Sequence, residues 1–417
     1  MFVSARLPLL FVAGWTAGLL ACDEAELDPT PTQDAGIPVL DLGLPDDAGQ
    51  LPEDGGVSID AEPKRGLGVL GYESHDIAQV ELHEISGVGG LRVPRDLDFN
   101  PSGDGELWVV NRADDSTVTY FKAGTPEQTA EKRIDSFALH FMEEVSSIAF
   151  GAPSDEFGHT FGTCQESRNT YNNSQRQNDF MGPSLWPSRM DIYSYPNPDA
   201  VRDLGYDLGS HLDMLHQSPL CMGIAWDHDN VYWTFDGLTG TISRYDFQAD
   251  HGVGYDDHSD GIIGRYVDAQ VLRVADVPSH LELDRATGKL YIADTGNARI
   301  AVLDTTSGTR GRTLRGFEPG VDFHEVTGAT FTTLVDGVGG ELTHPSGIVM
   351  VGDILYVTDN ATSRISAFDK NTGARLDYLN VGVGAGALMG ITADPEGRLY
   401  IVDAVTNKVW RIAALPE

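Results

Sequence analysis

Beyond residue 90 one pattern occurs six times, and a repeat of that kind leaves few possible folds. Each copy has a small or Pro-containing lead-in, a short apolar strand, a turn, a strand ending in Asp or Asn, a polar turn and a third strand. Three copies are plain. Pro278-Ser279-His280-Leu281 leads to Leu290-Tyr291-Ile292-Ala293-Asp294 and then to Arg299-Ile300-Ala301-Val302-Leu303. His344-Pro345-Ser346-Gly347-Ile348 leads to Leu355-Tyr356-Val357-Thr358-Asp359, and Met389-Gly390-Ile391 to Leu399-Tyr400-Ile401-Val402-Asp403. Two more run from Pro94 to Asn111 and from Met222 to Asp236, and a degenerate one runs from Ser146 to Gln165. The aligned residues Leu97, Ile148, Ile224, Leu281, Ile348 and Ile391 are 51, 76, 57, 67 and 43 residues apart, so small antiparallel sheets alternate with loops of varied length.

A unit of three or four strands cannot bury both of its faces alone, whereas six arranged radially bury them against one another. The predicted fold is therefore all-β, a six-bladed β-propeller. The pattern resembles NHL-repeat proteins over roughly residues 78 to 414, most strongly in the last two units. That resemblance implies the fold and leaves the function open, because the family includes binding scaffolds as well as enzymes. The last unit has only three strands before the chain reaches Glu417. The alternating segment Ala78 to Ile85 is expected to supply the missing strand and close the ring.

Ahead of the repeats, residues 1–21 carry one early charge, Arg6, and an apolar run from Leu7 to Ala21 that is too short to span a bilayer and suits an export signal. Leu19-Leu20-Ala21-Cys22 resembles a bacterial lipobox, which implies a lipid on Cys22 and a protein tethered to the cell envelope, on the periplasmic side or the cell surface. From Asp23 to Pro63 there are twelve acids and no Lys or Arg. Such a stretch repels itself and buries little, so residues 22–70 are expected to form a disordered acidic linker, with 71–417 as the propeller. The whole chain has 28 Lys plus Arg against 63 Asp plus Glu, a net charge of −35 that opposes nucleic-acid binding. Contact with the membrane is expected only through the lipid, and the body is expected to be a monomer.

An oxidising compartment favours pairing of the two remaining cysteines. Cys164 aligns with the end of a second strand and Cys221 with the lead-in of the next unit, so a disulfide between them would staple the degenerate unit to its neighbour. Residues Asn169 to Pro187, ending Phe180-Met181-Gly182-Pro183-Ser184-Leu185-Trp186-Pro187, form a polar insertion and a candidate lid. Asn111, Gln165, Asp236, Asp294, Asp359 and Asp403 share one place in the repeat, where a polar group bonds the following turn.

Histidine is the main candidate for chemistry. His140, His216, His280 and His344 each precede the innermost strand of their units, where lead-in loops are expected to converge on the channel mouth. Imidazoles meeting there would bind zinc or copper, with Glu143, Glu144 or Asp213 as possible oxygen ligands. A second cluster, from His251 through Asp256, Asp257, His258 and Asp260 to Gly261, offers a lesser possibility of calcium through its three Asp, although it lacks an EF-hand's spacing. The peptidylglycine-amidating lyases, similar propellers, bind zinc through histidines placed just before the inner strand. The matching positions here are Arg95, Ser146, Met222, Ser279, Ser346 and Met389, so that arrangement is absent. No nucleophile elbow, His-Glu-x-x-His, phosphate loop or dinucleotide fingerprint occurs, and beyond zinc, copper or calcium the sequence names no cofactor. The leading expectation is a binding module for a protein, peptide or small molecule. The alternative is a metal-dependent lyase or hydrolase built on the four histidines.

Overall fold

A computed structural model describes residues 65–87, 89–169 and 177–416. The signal-like segment, Cys22 and most of the acidic linker lie outside them, as does part of the polar insertion. The described strands form six sheets. Blade 1 has Pro94–Phe99 innermost, followed outward by Leu107–Asn111, Ser116–Phe121 and Thr129–Ile134. The inner strands of blades 2 to 6 are Val145–Ser154, Cys221–Trp226, Leu281–Asp284, Pro345–Val351 and Leu388–Ala393. Each inner strand packs on the next, and that of blade 6 on that of blade 1, so the ring is closed.

Closure comes from the front of the chain. Val80–Glu84 pairs antiparallel with Lys408–Ala414 as the outer strand of blade 6, with Val80 opposite Ala414 and Glu84 opposite Trp410. Glu84 meets Lys408 and Glu81 meets Arg411, each at 2.7 Å. Leu70, which the sequence pattern assigned to the linker, is fully buried against blades 5 and 6, so ordered packing starts before residue 71.

The apolar side chains of the described residues form six clusters, and each joins the facing sides of two neighbouring blades. Trp233 and Ile242 of blade 3 meet Leu290 and Ile292 of blade 4, while Val109 of blade 1 meets Val402 and Val409 of blade 6. A flat sheet thus gains its core only from its neighbours.

The small residue in the lead-in has a steric cause. At Gly223, Gly347 and Gly390 a Cβ would stand 2.1 Å from the Ser279 carbonyl oxygen, 2.5 Å from that of Met389 and 2.3 Å from Asp96 Oδ1. Those atoms belong to the adjoining blade, and each glycine lies where its inner strand bulges against the second strand. The recurring place of the strand-end acid is architectural as well. Asp236, Asp359 and Asp403 each accept two backbone N–H bonds from the turn after the strand.

Blades 2 and 4 depart from the repeat. Blade 2 has short outer strands, Ser184–Trp186 and Asp213–Met214, so long connections cover its flank. Blade 4 ejects a hairpin, Thr309–Thr313 and Asp322–Thr327, between its third and fourth strands. The hairpin joins the outer strand of blade 3, Ile262–Gln270, in parallel and extends that sheet to six strands. The disulfide Cys164–Cys221 links the second strand of blade 2 to the inner strand of blade 3, with the Cα atoms 5.2 Å apart.

Substituting Gly347→Ala is expected to cost about 1–3 kcal/mol, because the new methyl group meets backbone of blade 6 rather than a side chain that can swing away. Denaturant unfolding measures it, and an unchanged midpoint would mean that the blades can part without cost. Removing the disulfide by paired serine substitution is expected to cost about 2–4 kcal/mol for the loop it closes. Both thiols should resist alkylation in the non-reduced protein.

Candidate functional site

The central channel is not where the histidines meet. It is a cavity of about 230 Å³ lined by all six inner strands, and His280 is the histidine found there. The His280 ring reaches across the axis, with Nε2 3.2 Å from the Ser146 carbonyl oxygen of blade 2 and Nδ1 3.3 Å from Asp96 Oδ1 of blade 1. Burial pushes its pKa down to about 4. It acts as a neutral strut between blades. Asp96 and Asp98 accept the backbone N–H groups of Ile148 and Phe150, supplying bonds that no strand pairing makes between adjacent blades. His344, half-buried at the lead-in of blade 5, is held through its backbone by Asp359 and Asn360.

The other two predicted histidines do come together, on the flank of blade 2. Their Nε2 atoms are 3.1 Å apart. His140 sits on a single helical turn, Ala138–Phe141, in the connection from blade 1, and His216 follows the last strand of blade 2. Their meeting point is displaced from the channel because blade 2 is shallow. The connections that would have reached the mouth fold over its outer strands instead.

Three further histidines join them: His211, His251 and His258. One ring nitrogen of each lies within 4.8 Å of the others. Backbone pairing explains the encounter. The loop between the third and fourth strands of blade 3 crosses to blade 2, where the His251 N–H donates to the Leu212 carbonyl at 3.1 Å and the Gly254 N–H to the His211 carbonyl at 2.9 Å. Buried Asp135 ties the His140 turn to this segment by accepting from the Phe137 N–H, the Ser210 N–H and the Ser210 hydroxyl.

Hydrogen bonding sets the tautomers. His211 Nδ1 is 2.9 Å from the Leu208 carbonyl oxygen and His251 Nδ1 is 2.8 Å from that of Gly252. A carbonyl only accepts, so Nδ1 carries the proton and Nε2 presents a lone pair. Both Nε2 atoms are buried without a hydrogen-bond partner. His258 Nδ1 is 2.9 Å from Asp213 Oδ1, the carboxylate-backed arrangement that orients metal-binding imidazoles. Asp213, predicted as a possible ligand, thus supports a histidine. His216 Nδ1 bonds Glu318, which the ejected hairpin of blade 4 delivers from two blades away.

Burial keeps most of the cluster neutral. It lowers His140 and His251 to about 3, with nearby histidines adding to the effect, and carries His211 well below its ordinary range. Burial also lowers His216, with Glu318 in partial opposition. Only His258 is raised: burial opposes its charge, but Asp213, Glu318 and Asp256 outweigh it. Neutral imidazole is the form that ligates metal.

The cluster opens on a cavity of about 410 Å³ walled by Phe137, Phe141, Phe180, Tyr206 and Leu208. Phe141 stacks on His211 at 3.7 Å and Phe180 on His216 at 3.6 Å between ring centroids. Phe180 comes from the predicted lid, and Phe317 of the ejected hairpin meets it edge-on. The proposed calcium acids do not converge. Asp256 accepts from the Tyr206 hydroxyl, Asp257 from Ser259 and Asp260 from the Ala249 N–H, each in its own exposed turn. Glu144 pairs with Arg112 and Glu143 with Ser167, on a separate polar pocket.

No family profile matches the sequence, and no curated protein is significantly similar to it. Among solved structures the chain is similar to an auxiliary nutrient binding protein from Bacteroides thetaiotaomicron. That match has 14% identity over 80% of this chain and 72% of that one, with a TM-score of 0.48. It is also similar to a luciferin-regenerating enzyme, at 13% identity over 81% and 96% of the two chains with a TM-score of 0.48. A third similarity is to virginiamycin B lyase from Staphylococcus aureus, at 12% identity over 81% and 99% with a TM-score of 0.43. At such low identities and partial overlaps, the six-bladed β-propeller rests on the sheet order itself and any function on the site's own geometry.

Burial, then the nearby charge of Asp98, pushes Glu282 up to about 8 from an ordinary 4.5. Between those values the folded protein holds a proton that the unfolded chain releases, so stability falls as pH rises through the window. Glu282→Gln is expected to gain about 1–3 kcal/mol over the parent between pH 5 and pH 8, after allowance for solvent in the channel. Melting curves of both proteins across that range measure it, and parallel curves would refute it.

Proposed function

We propose that this protein is an exported, lipid-anchored β-propeller that holds a transition metal, zinc or copper, at His211, His251 and His258 and uses it to bind a small ligand. The observation that carries this reading is the pair of buried, unpartnered Nε2 atoms on His211 and His251, in rings that each bring a nitrogen within 4.8 Å of one another and of His258. Leaving such atoms unsatisfied is costly, and a cation at about 2.0–2.1 Å from each nitrogen removes the cost. Nitrogens on one tetrahedral ion stand about 3.3 Å apart, against the spread of up to 4.8 Å among these three. Nitrogen donors and buried imidazoles suit zinc or copper, and an all-oxygen cation such as calcium finds no comparable set among the described residues.

The ligand enters beside the metal. Aromatic walls suit an apolar or aromatic body, and a donor atom on it would take the metal's open position. Export is supported by the Cys164–Cys221 disulfide, and the lipid anchor rests on the Leu19-Leu20-Ala21-Cys22 motif. A second reading, a metal-dependent hydrolase or lyase, is favoured by one specific feature. Three protein ligands, one of them carboxylate-backed, beside a cavity is the layout that leaves a position for activated water or substrate.

Elemental analysis of the purified protein is expected to find zinc or copper, and His211→Ala and His258→Ala are expected to lose it. Chelation should lower the melting midpoint of the parent protein and leave that of the variants unmoved. Parent protein that takes up no more metal than His211→Ala would overturn the proposal.

A further inference from the structure

We propose that the lead-in end of the inner strands holds a second ligand site, apart from the histidines, for a small carboxylic acid that also carries a hydrogen-bond donor: an amino or hydroxy acid. The residue that carries this is Arg95. It is the second residue of the inner strand of blade 1, and the matching positions in the other five blades are Ser146, Met222, Ser279, Ser346 and Met389. The repeat needs no charge there, and a residue that breaks a local rule without architectural gain points to function. The Arg95 side chain is 5% exposed, and among the described residues its guanidinium makes no hydrogen bond: its ion pair with Asp276 has Nη2 3.9 Å from Oδ1, and Nε is buried without a partner. Burial, then the charge of Arg112, pushes its pKa down to about 10 against the pull of Glu166, Asp276 and Glu144. A buried cation left in that state is costly.

The guanidinium ends beside the polar pocket that Glu143 and Glu144 line, about 320 Å³ in volume. Arg112, from the turn after the second strand of blade 1, and Arg273, from the lead-in of blade 4, line the same pocket. Glu166, 2% exposed, pairs with Arg273, accepts the Asp276 N–H at 2.9 Å and stands 3.5 Å from Arg112 Nε. The inner set therefore holds three cations against one anion. The remaining counter-charge comes from the rim. Asp276, 66% exposed, and Glu144 each reach Arg112 Nη2, at 3.1 and 3.0 Å.

Asp276 thus puts a carboxylate beside Arg112 that is too far from Arg95 to bond it. A ligand carboxylate in its place can engage both guanidinium forks, the geometry for which Arg suits carboxylates. The other half of the pocket calls for a donor. Burial pushes Glu144 upward, with Arg112 in opposition, and Glu166, Glu143 and Asp276 add to the rise. An N–H or O–H on the ligand relieves that crowding. The chain's net charge of −35 also favours a zwitterion over a dianion. A clamp that only tied blades together would bond every guanidinium as Arg273 is bonded to Glu166, and Arg95 would not be left over.

The test is calorimetric titration of the parent protein with glycine, L-serine, L-aspartate, glycolate and malate in turn, at fixed chloride, with ethanolamine and sulfate as controls. At least one of the acids is expected to bind at one equivalent, and ethanolamine, which lacks the carboxylate, is not. Arg95→Met is expected to weaken that binding about 10–100-fold. Because Arg95 is buried, the exposed Asp276→Asn provides a second variant of opposite sign. With the competing carboxylate gone, the acid should bind about 2–5-fold more tightly, a gain that a structural clamp does not give. His211→Ala should leave the binding unchanged. No binding of any acid, binding that Arg95→Met leaves intact, or binding that Asp276→Asn weakens overturns the proposal. Sulfate that binds as tightly as the acids overturns the assignment to carboxylates. Binding lost in His211→Ala and kept in Arg95→Met places the acid at the histidines and overturns this site while leaving that one standing.

Discussion

The structure depends on closure of the ring. Six sheets share six apolar interfaces, one between each pair of neighbours, and the interface between blades 1 and 6 exists only if the circle is complete. Val80–Glu84 pairs with the last strand of the chain and covers an edge that would otherwise be exposed. Closure also explains the glycines of the lead-ins. Where six strands crowd one axis, Gly347 and its equivalents face the backbone of the next blade at a distance that no side chain tolerates.

That uniformity has one weak sector, and the candidate site occupies it. Blade 2 has outer strands of three and two residues, too short to present a finished edge. Its flank is covered by the connection from blade 1, by the loop of blade 3 that carries His251 and His258, and by the hairpin turn that carries Glu318. Each of these is irregular chain anchored to regular sheet, the usual way for loops to carry function on a rigid scaffold. The Cys164–Cys221 disulfide reinforces the junction of blades 2 and 3. The channel, by contrast, is given over to architecture: Asp96 and Asp98 bond to the adjacent inner strand, and His280 reaches across to blade 2 and to Asp96 of the opposite blade 1.

The fold was legible in the sequence because every blade solves the same packing problem with the same residues. The aligned Ile and Leu positions, the strand-end Asp and the closing strand all take their expected places. The site was legible only in part. His140 and His216 were singled out by their positions relative to the repeat, and they meet. His280 and His344 satisfied the same rule and do not join them, because distance from a repeat marker says nothing about which way a loop turns. His251 and His258 stood in a cluster whose neighbouring acids drew attention to calcium, yet it is the imidazoles that turn inward. His211 and Glu318 had no signal beyond their identity.

What the sequence determined by itself is the periodic part: strand period, small residues at crowded turns, an acid where a turn needs an acceptor, and two cysteines at facing ends of adjacent units. These are local rules, satisfied within a unit or by its neighbour, and so they leave a repeated mark. The histidine cluster was decided by tertiary structure alone. Its members come from four separate stretches, around residues 140, 211–216, 251–258 and 318, brought together by backbone bonds between loops that no repeat encodes. The direction of those loops is set by the shallow edge of blade 2 and the detour of the blade 4 hairpin, both of which are consequences of packing across the ring rather than of any segment's own pattern.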